Sequence, residues 1–280
     1  MMTLPDRPVL SIWLDAPRPS MDAVPTYAAG LAELFDLVSI SLNAGTGDLW
    51  RPTWRREVLL ALTLELQRLG VCVEWMVYPQ GDSRRLTLLL GELHALYGAG
   101  AASGVEPPRI DLDSEEPNRR LQAASVRPFM RELEAFSPLG VRVNCVPKVG
   151  GQLHAADRLL IEDPATTHVT LQSASLYKLA DKWTHHDAFR PAGSYMRTCL
   201  RVADQLSQER PGLRVGLYQA LHSQGHPAPH PSGRAAMEAS GRLLVDSGRD
   251  VGCWATSSLG EDDRAYLRDW LRPRMLAGRV

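Results

Sequence analysis

A (β/α)8 TIM barrel, read as one catalytic domain over residues 1–280, is the fold the sequence predicts. Eight short runs rich in Val, Ile and Leu recur along the chain, and longer segments with helical periodicity separate them. A length of 280 residues is ordinary for one such barrel. The competing arrangement, a doubly wound open sheet, would usually use fewer strands.

The first run is VLSIWL at 9–14. In the second, LVSISL at 37–42, Val38, Ile40 and Leu42 alternate with Ser39, Ser41 and then Asn43. The segment WRREVLLALTLELQRLG at 54–70 has the helical period and closes on Gly70, a residue that often ends a helix before a strand. In VCVEWMV at 71–77, Val71, Val73, Trp75 and Val77 alternate with Cys72, Glu74, Met76 and then Tyr78. RIDLD follows at 109–113, and the helical stretch SVRPFMRELEAFSPLG at 125–140 ends on Gly140. The last four runs are VRVNCV at 141–146, HVTLQS at 168–173, LRVGLY at 213–218 and DVGCWA at 250–255.

Alternate residues of a strand share a face. The apolar sets are therefore assigned to the helix-facing side, which leaves an inner wall of unusual polarity. Barrels of this class more often stack branched apolar side chains there. Within that wall Arg142 and Arg214 are expected to neutralise Asp111 and Glu74, because a buried charge persists only when paired.

Composition excludes several functions. The 31 basic and 32 acidic residues give a formal net charge of −1 and no basic patch of the kind a nucleic-acid surface needs. Cys72, Cys145, Cys199 and Cys253 are far apart and show no CxxC spacing, so they read as reduced core residues. No apolar run reaches the roughly 18 residues that span a membrane, and the start MMTLPDRP lacks a basic-then-apolar signal. The expected location at synthesis is cytoplasmic. Action outside the cell would need lysis or another delivery system.

The stretch RIDLDSEEP at 109–117 carries the chemistry. Asp111, Asp113 and Glu115 stand at alternate positions, so they climb one face of the fourth strand toward the C-terminal mouth, where barrel enzymes react. Three carboxylates on one buried face are costly without a purpose.

This D-x-D-x-E pattern on the fourth of eight strands resembles the glycoside hydrolase family 18, chitinase-like enzymes, whose fuller motif has Asp-Gly where Pro108 and Arg109 stand here. The resemblance implies that Glu115 is the general acid and that Asp113 orients the substrate's acetamido group. That group attacks the anomeric carbon itself, and Asp111 is a buried charge partner. It also implies a sugar floor at Trp254, and contributions from Gln172 in VTLQS and Tyr218 on strand seven. The chain is similar as well to family 25 lysozymes, which place an Asp at the end of strand one and D-x-E at the end of strand four; Asp15 and Asp113-Ser114-Glu115 fit that minimum. Asn43 and Tyr78 are expected to line the pocket. Both resemblances imply an N-acetylhexosamine polysaccharide as partner, no cofactor and no metal. The Ala-, Arg- and Leu-rich composition favours peptidoglycan over chitin.

Other readings stay open. Asp15 in LDAPRP suits a turn equally well, and Trp254 suits core filling. A metal-dependent barrel, such as a sugar isomerase or hydrolase, would draw ligands from Glu74, Asp113 and one histidine of HSQGHPAPH. There Gly225, Pro227 and Pro229 forbid the helix that would align His222, His226 and His230. A barrel that binds glycans without cutting them is the third alternative.

Overall fold

The computed structural model describes residues 3–14, 19–42, 54–79, 83–114, 123–148, 150–173, 194–219, 221, 233–255 and 259–277. Eight parallel strands close into a barrel in sequence order: β1 (Leu10–Leu14), β2 (Leu37–Ser41), β3 (Cys72–Val77), β4 (Arg109–Ser114), β5 (Val141–Cys145), β6 (Thr166–Leu171), β7 (Arg214–Gln219) and β8 (Asp250–Ala255). Closure is made by β8 pairing with β1, Trp254 opposite Trp13. Between successive strands run α1 (Val24–Ala32), α2 (Arg56–Arg68), α3 (Ser83–Ala102), α4 (Ala123–Phe136), α5 (Ala155–Glu162), α6 (Ser194–Glu209) and α7 (Gly233–Asp246). After β8 come α8 (Glu261–Tyr266), a π-helical turn (Leu267–Leu271) and α9 (Arg272–Ala277). The expected barrel and its eight strands are present.

The alternation decides where the core sits. Val38, Ile40, Val73, Trp75, Ile110, Leu112, Val143, Val169, Val215 and Leu217 all join one apolar cluster with the helices, while among the described residues the inner wall contributes nothing to it. Each such side chain withdrawn from water stabilises the fold by about 1.5–3 kcal/mol, so the strand–helix shell carries the stability. Trp75 shows how it is built: its ring meets Tyr97 of α3 edge-on at 4.9 Å, and its Nε1 donates to Thr63 Oγ1 of α2 at 3.2 Å.

Helix ends follow the sequence closely but not everywhere. Gly70 adopts φ 80° just after α2, as expected of a helix-closing glycine. Gly140, at φ 81°, closes instead a turn beyond α4, donating to Ser137 O at 2.8 Å. β6 starts two residues before the expected run, because Thr166 pairs with Val141 across a register irregularity and its hydroxyl donates to Leu160 O at 2.6 Å. The four cysteines are free, three of them buried and Cys72 half-exposed.

Candidate active site

Inside the barrel the polar wall is organised in two storeys. The lower one is an ion-pair network. Glu74 of β3, fully buried, accepts from Arg109 Nε at 2.5 Å on one oxygen and from Arg142 Nη1 at 2.9 Å on the other. Arg142 also donates to Thr170 Oγ1 at 2.8 Å. Burial pulls the pKa of Arg142 down, but the carboxylates of Glu74 and Asp111 more than reverse this and keep it cationic.

Arg109 continues to His168 Nδ1, 3.0 Å away. A guanidinium only donates, so Nδ1 accepts and the ring proton is assigned to Nε2. Nε2 lies 3.2 Å from Asp250 Oδ2, within ion-pair distance but out of hydrogen-bond alignment. Burial, reinforced by Arg142, Arg109 and Arg214, drives the His168 pKa well below its usual value, so the ring is neutral. Asp250 is held by Arg214 at 2.6 Å and by the Val9 amide at 2.8 Å.

The expected pairing is thus corrected in part. Arg142 does meet Glu74, but Arg214 pairs with Asp250 rather than with Asp111 or Glu74. Arg214 sits at the N-terminal rim, where its remaining donors hold Pro5 O and Arg7 O, too low to reach the other two acids. Glu74 is committed to two guanidinium groups, so it does not serve as the metal ligand that the metal reading required.

The upper storey belongs to β4. Asp111 is fully buried; Ser39 Oγ of β2 donates to its Oδ2 at 2.6 Å and Asn144 Nδ2 of β5 to its Oδ1 at 2.5 Å. Burial raises its pKa to about 6; Arg142 opposes the shift and Glu74 adds to it. One step nearer the mouth, Asp113 is buried and accepts from Gln172 Nε2 of the β6 end at 3.0 Å. Both aspartates therefore stand on the inner wall, as the alternation requires. Ser114 points the other way, and its hydroxyl donates to the buried Asp157 of α5 at 2.5 Å.

Across the barrel stands an aromatic wall. Tyr218 of β7 packs its ring 6.0 Å from that of Trp13 of β1, tilted by 32°. Gly252 of β8 makes room for it, since a Cβ there would lie 3.1 Å from Tyr218 Cε1. Burial pushes the phenol pKa well above its usual value, against the pull of Arg142, so Tyr218 remains a hydroxyl donor. Ser173 Oγ donates to Tyr218 O at 2.8 Å and ties the ends of β6 and β7 together. Tyr78, just past β3, is buried on the same inner alternation.

Of the expected site residues, Asp111, Asp113, Gln172, Tyr218 and Tyr78 thus share the inner wall. Glu115, Asp15 and Asn43 lie outside the described residues, as do His222, His226 and His230. Trp254 follows Asp250 and Gly252 on the inner alternation of β8, and its side chain is outside what is described. Sequence reasoning passed over Trp13, Arg109, His168 and Asp250. The signal was present, because continuing the period-two reading through β1, β4, β6 and β8 places all four inward.

A cavity of about 300 Å3 opens at the opposite, N-terminal end, lined by residues including Cys72, Glu74, Arg109 and Arg214. Its Glu74, Arg109 and Arg214 are already joined in the ion pairs described, and that end of a barrel usually serves stability. The mouth above Asp113 is where the wall offers an acid column facing aromatic rings. Aromatic faces and carboxyl groups are the side chains that hold a sugar ring and protonate a glycosidic oxygen.

No family model and no curated protein matches the sequence. Solved structures do share its fold. A GH113 β-1,4-mannanase superposes with a TM-score of 0.61 at 9% identity, over 96% of this chain and 98% of that one. The endo-β-1,4-mannanase from Thermotoga petrophila gives 0.62 at 11%, over 98% and 78%. A xylanase-α-amylase inhibitor protein in complex with trehalose gives 0.58 at 10%, over 98% and 99%. At these identities the likeness establishes the architecture, and the chain is a (β/α)8 barrel of the kind found among glycoside hydrolases.

Proposed function

We propose that the protein is a retaining glycoside hydrolase that cleaves β-linked N-acetylhexosamine polymers by substrate assistance, with Glu115 as acid and base. The observation that carries this reading is the acid pair of β4, Asp111 fully buried beneath Asp113 and both on the inner wall, with Glu115 following Asp113 by two residues in the sequence. In this scheme Glu115 protonates the glycosidic oxygen while the acetamido oxygen, oriented by Asp113, attacks the anomeric carbon. The oxazolinium intermediate then opens to a water that Glu115 deprotonates.

The alternative retaining route needs a second carboxylate about 5–5.5 Å from the first. Among the described residues, the other inner acids are Glu74 and Asp250, both locked low in the barrel by arginines. β7 closes on Gln219 and the β6 end on Gln172, so neither supplies that carboxylate. This favours an intermediate built from the substrate's own acetamido group. The neighbours named mannanases support the hydrolase class and offer a neutral β-1,4-linked polymer as the second reading. Peptidoglycan is the preferred polymer.

Purified wild type and Glu115→Gln, incubated with cell-wall sacculi, chitin oligomers and β-mannan and read by product mass, test the proposal. The wild type should release N-acetylhexosamine products with EDTA present or absent. Glu115→Gln should lose on the order of 10²–10⁴ in rate or more. Cleavage of mannan alone, or full activity in Glu115→Gln, overturns it. Asp15→Asn separates the two resembled families: a small loss fits the chitinase-like arrangement, and a large one the lysozyme-like arrangement.

A further inference from the structure

Gln172 stands where the sequence resemblance implied a substrate contact, but its geometry points elsewhere. Its backbone is pinned at the end of β6, its amide donating to Cys145 O of β5 at 2.8 Å. The side chain reaches past β5 to β4, where Nε2 donates to Asp113 Oδ1 at 3.0 Å. Both residues are buried, so the contact is made away from bulk water. An amide NH2 can only donate, so it stabilises a carboxylate oxygen as acceptor and disfavours a proton there.

The surroundings sharpen the point. Asp111, below on the same strand, has Ser39 and Asn144 on its two oxygens and is pushed toward protonation by burial. From β7 the phenol of Tyr218, and from β5 the thiol of Cys145, both feel the charge of Asp113 and are themselves driven neutral by burial. Arg142 and Glu74 lie deeper and are committed to each other.

We propose that Gln172 is a positioning residue whose side-chain amide fixes the rotation of Asp113 and keeps it ionised, so that the mobile proton of the column resides on Asp111 or Glu115. This rests on the proposed role of Asp113 as the orienter of the acetamido group, which must accept a hydrogen bond from the acetamido N–H. The length of the side chain matters, because Asn is one methylene shorter and would not span β5.

The test uses Gln172→Leu, Gln172→Asn and Gln172→Glu in the full chain. Carboxyl-carbon NMR, with Asp113→Asn to assign the signal, should show the Asp113 titration moving up by on the order of one pH unit in the Leu and Asn variants. On an N-acetylhexosamine oligomer, kcat should fall about 10–100-fold with KM nearly unchanged, and the acidic limb should shift up with it. Gln172→Glu is the sharper probe. Its ionised form repels Asp113, whereas its protonated form donates as the amide does, so activity should recover as the pH falls. An unmoved Asp113 titration, or a rise in KM alone, would overturn the inference and leave Gln172 a substrate contact. The NMR arm needs no turnover. A shifted titration in a protein that cleaves none of the polymers would therefore uphold the positioning role while removing the proposed function.

Discussion

Glu74→Gln tests whether the lower storey is a dry, paired network. The substitution keeps shape and one acceptor oxygen, but it removes the charge and turns an NH2 toward a guanidinium. Two contacts suffer: Arg109 Nε on one oxygen at 2.5 Å and Arg142 Nη1 on the other at 2.9 Å. Each charge-assisted bond contributes about 1.5–3 kcal/mol, and breaking a buried pair by removing one partner costs about 3–5 kcal/mol. The retained oxygen places the expectation near the low end, about 3 kcal/mol. Against a total stability of about 5–15 kcal/mol, that is a large fraction.

The assay is urea unfolding followed by both circular dichroism and tryptophan fluorescence. The midpoint should drop with no change of slope. Glu57→Gln, which breaks the exposed pair with Arg55, is the control and should leave the midpoint in place. A Glu74→Gln midpoint equal to wild type would refute the reasoning. It would mean that the N-terminal cavity lets water solvate both guanidinium groups.

Two further expectations follow from the same interior. His168 is neutral in the fold and titrates near its ordinary value when unfolded, so the native state binds fewer protons below about pH 6.5. Stability from this group is therefore complete above that pH and is lost below it, at up to about 1.4 kcal/mol per unit. His168→Gln, which keeps an acceptor and a donor, should flatten the acid slope of the urea midpoint, and an unchanged slope would contradict the neutral assignment. Gly252→Ala would set a Cβ 3.1 Å from Tyr218 Cε1, costing about 1–3 kcal/mol and displacing the ring. Activity should fall together with the near-ultraviolet circular dichroism of the aromatic wall, and loss of one without the other would separate Tyr218 from the site.

The barrel was legible because its outer shell is written in period two. Val38, Ile40, Val73, Trp75, Val143 and Val215 must face helices, and that alone turns Ser39, Glu74, Asp111, Asp113, Arg142 and Asn144 inward. What period cannot give is partner choice. Arg109 stands where the resembled motif has Gly, which drew attention to what was missing and away from a cation that binds Glu74. Arg214 and Arg142 occupy equivalent positions in their runs, yet strand stagger puts one at the rim beside Asp250 and the other at the centre beside Glu74. The inward direction of His168 was legible from the alternation of β6, but its role comes from being bracketed by Arg109 and Asp250. Ser114 read as the middle residue of a D-x-E pattern, and its outward direction gives it to Asp157.

The vertical order of charge along the barrel axis has a chemical consequence. In the lower storey three cations, Arg109, Arg142 and Arg214, face two acids, Glu74 and Asp250. Above them stand Asp111 and Asp113, and Arg142 reaches up to Asp111 electrostatically. Among the described residues the interior is thus positive below and negative toward the mouth. A fixed negative field at the mouth disfavours an anionic ligand and suits a transition state that gains positive charge at a sugar carbon. The field costs least when one acid of the column holds a proton, and the raised pKa of Asp111, at about 6, marks it as a place for that proton near neutral pH. In the proposed mechanism the buried arginines would therefore act without touching substrate: Arg142 limits how far the Asp111 pKa rises, and Glu74 limits how much of Arg142 is available to do so.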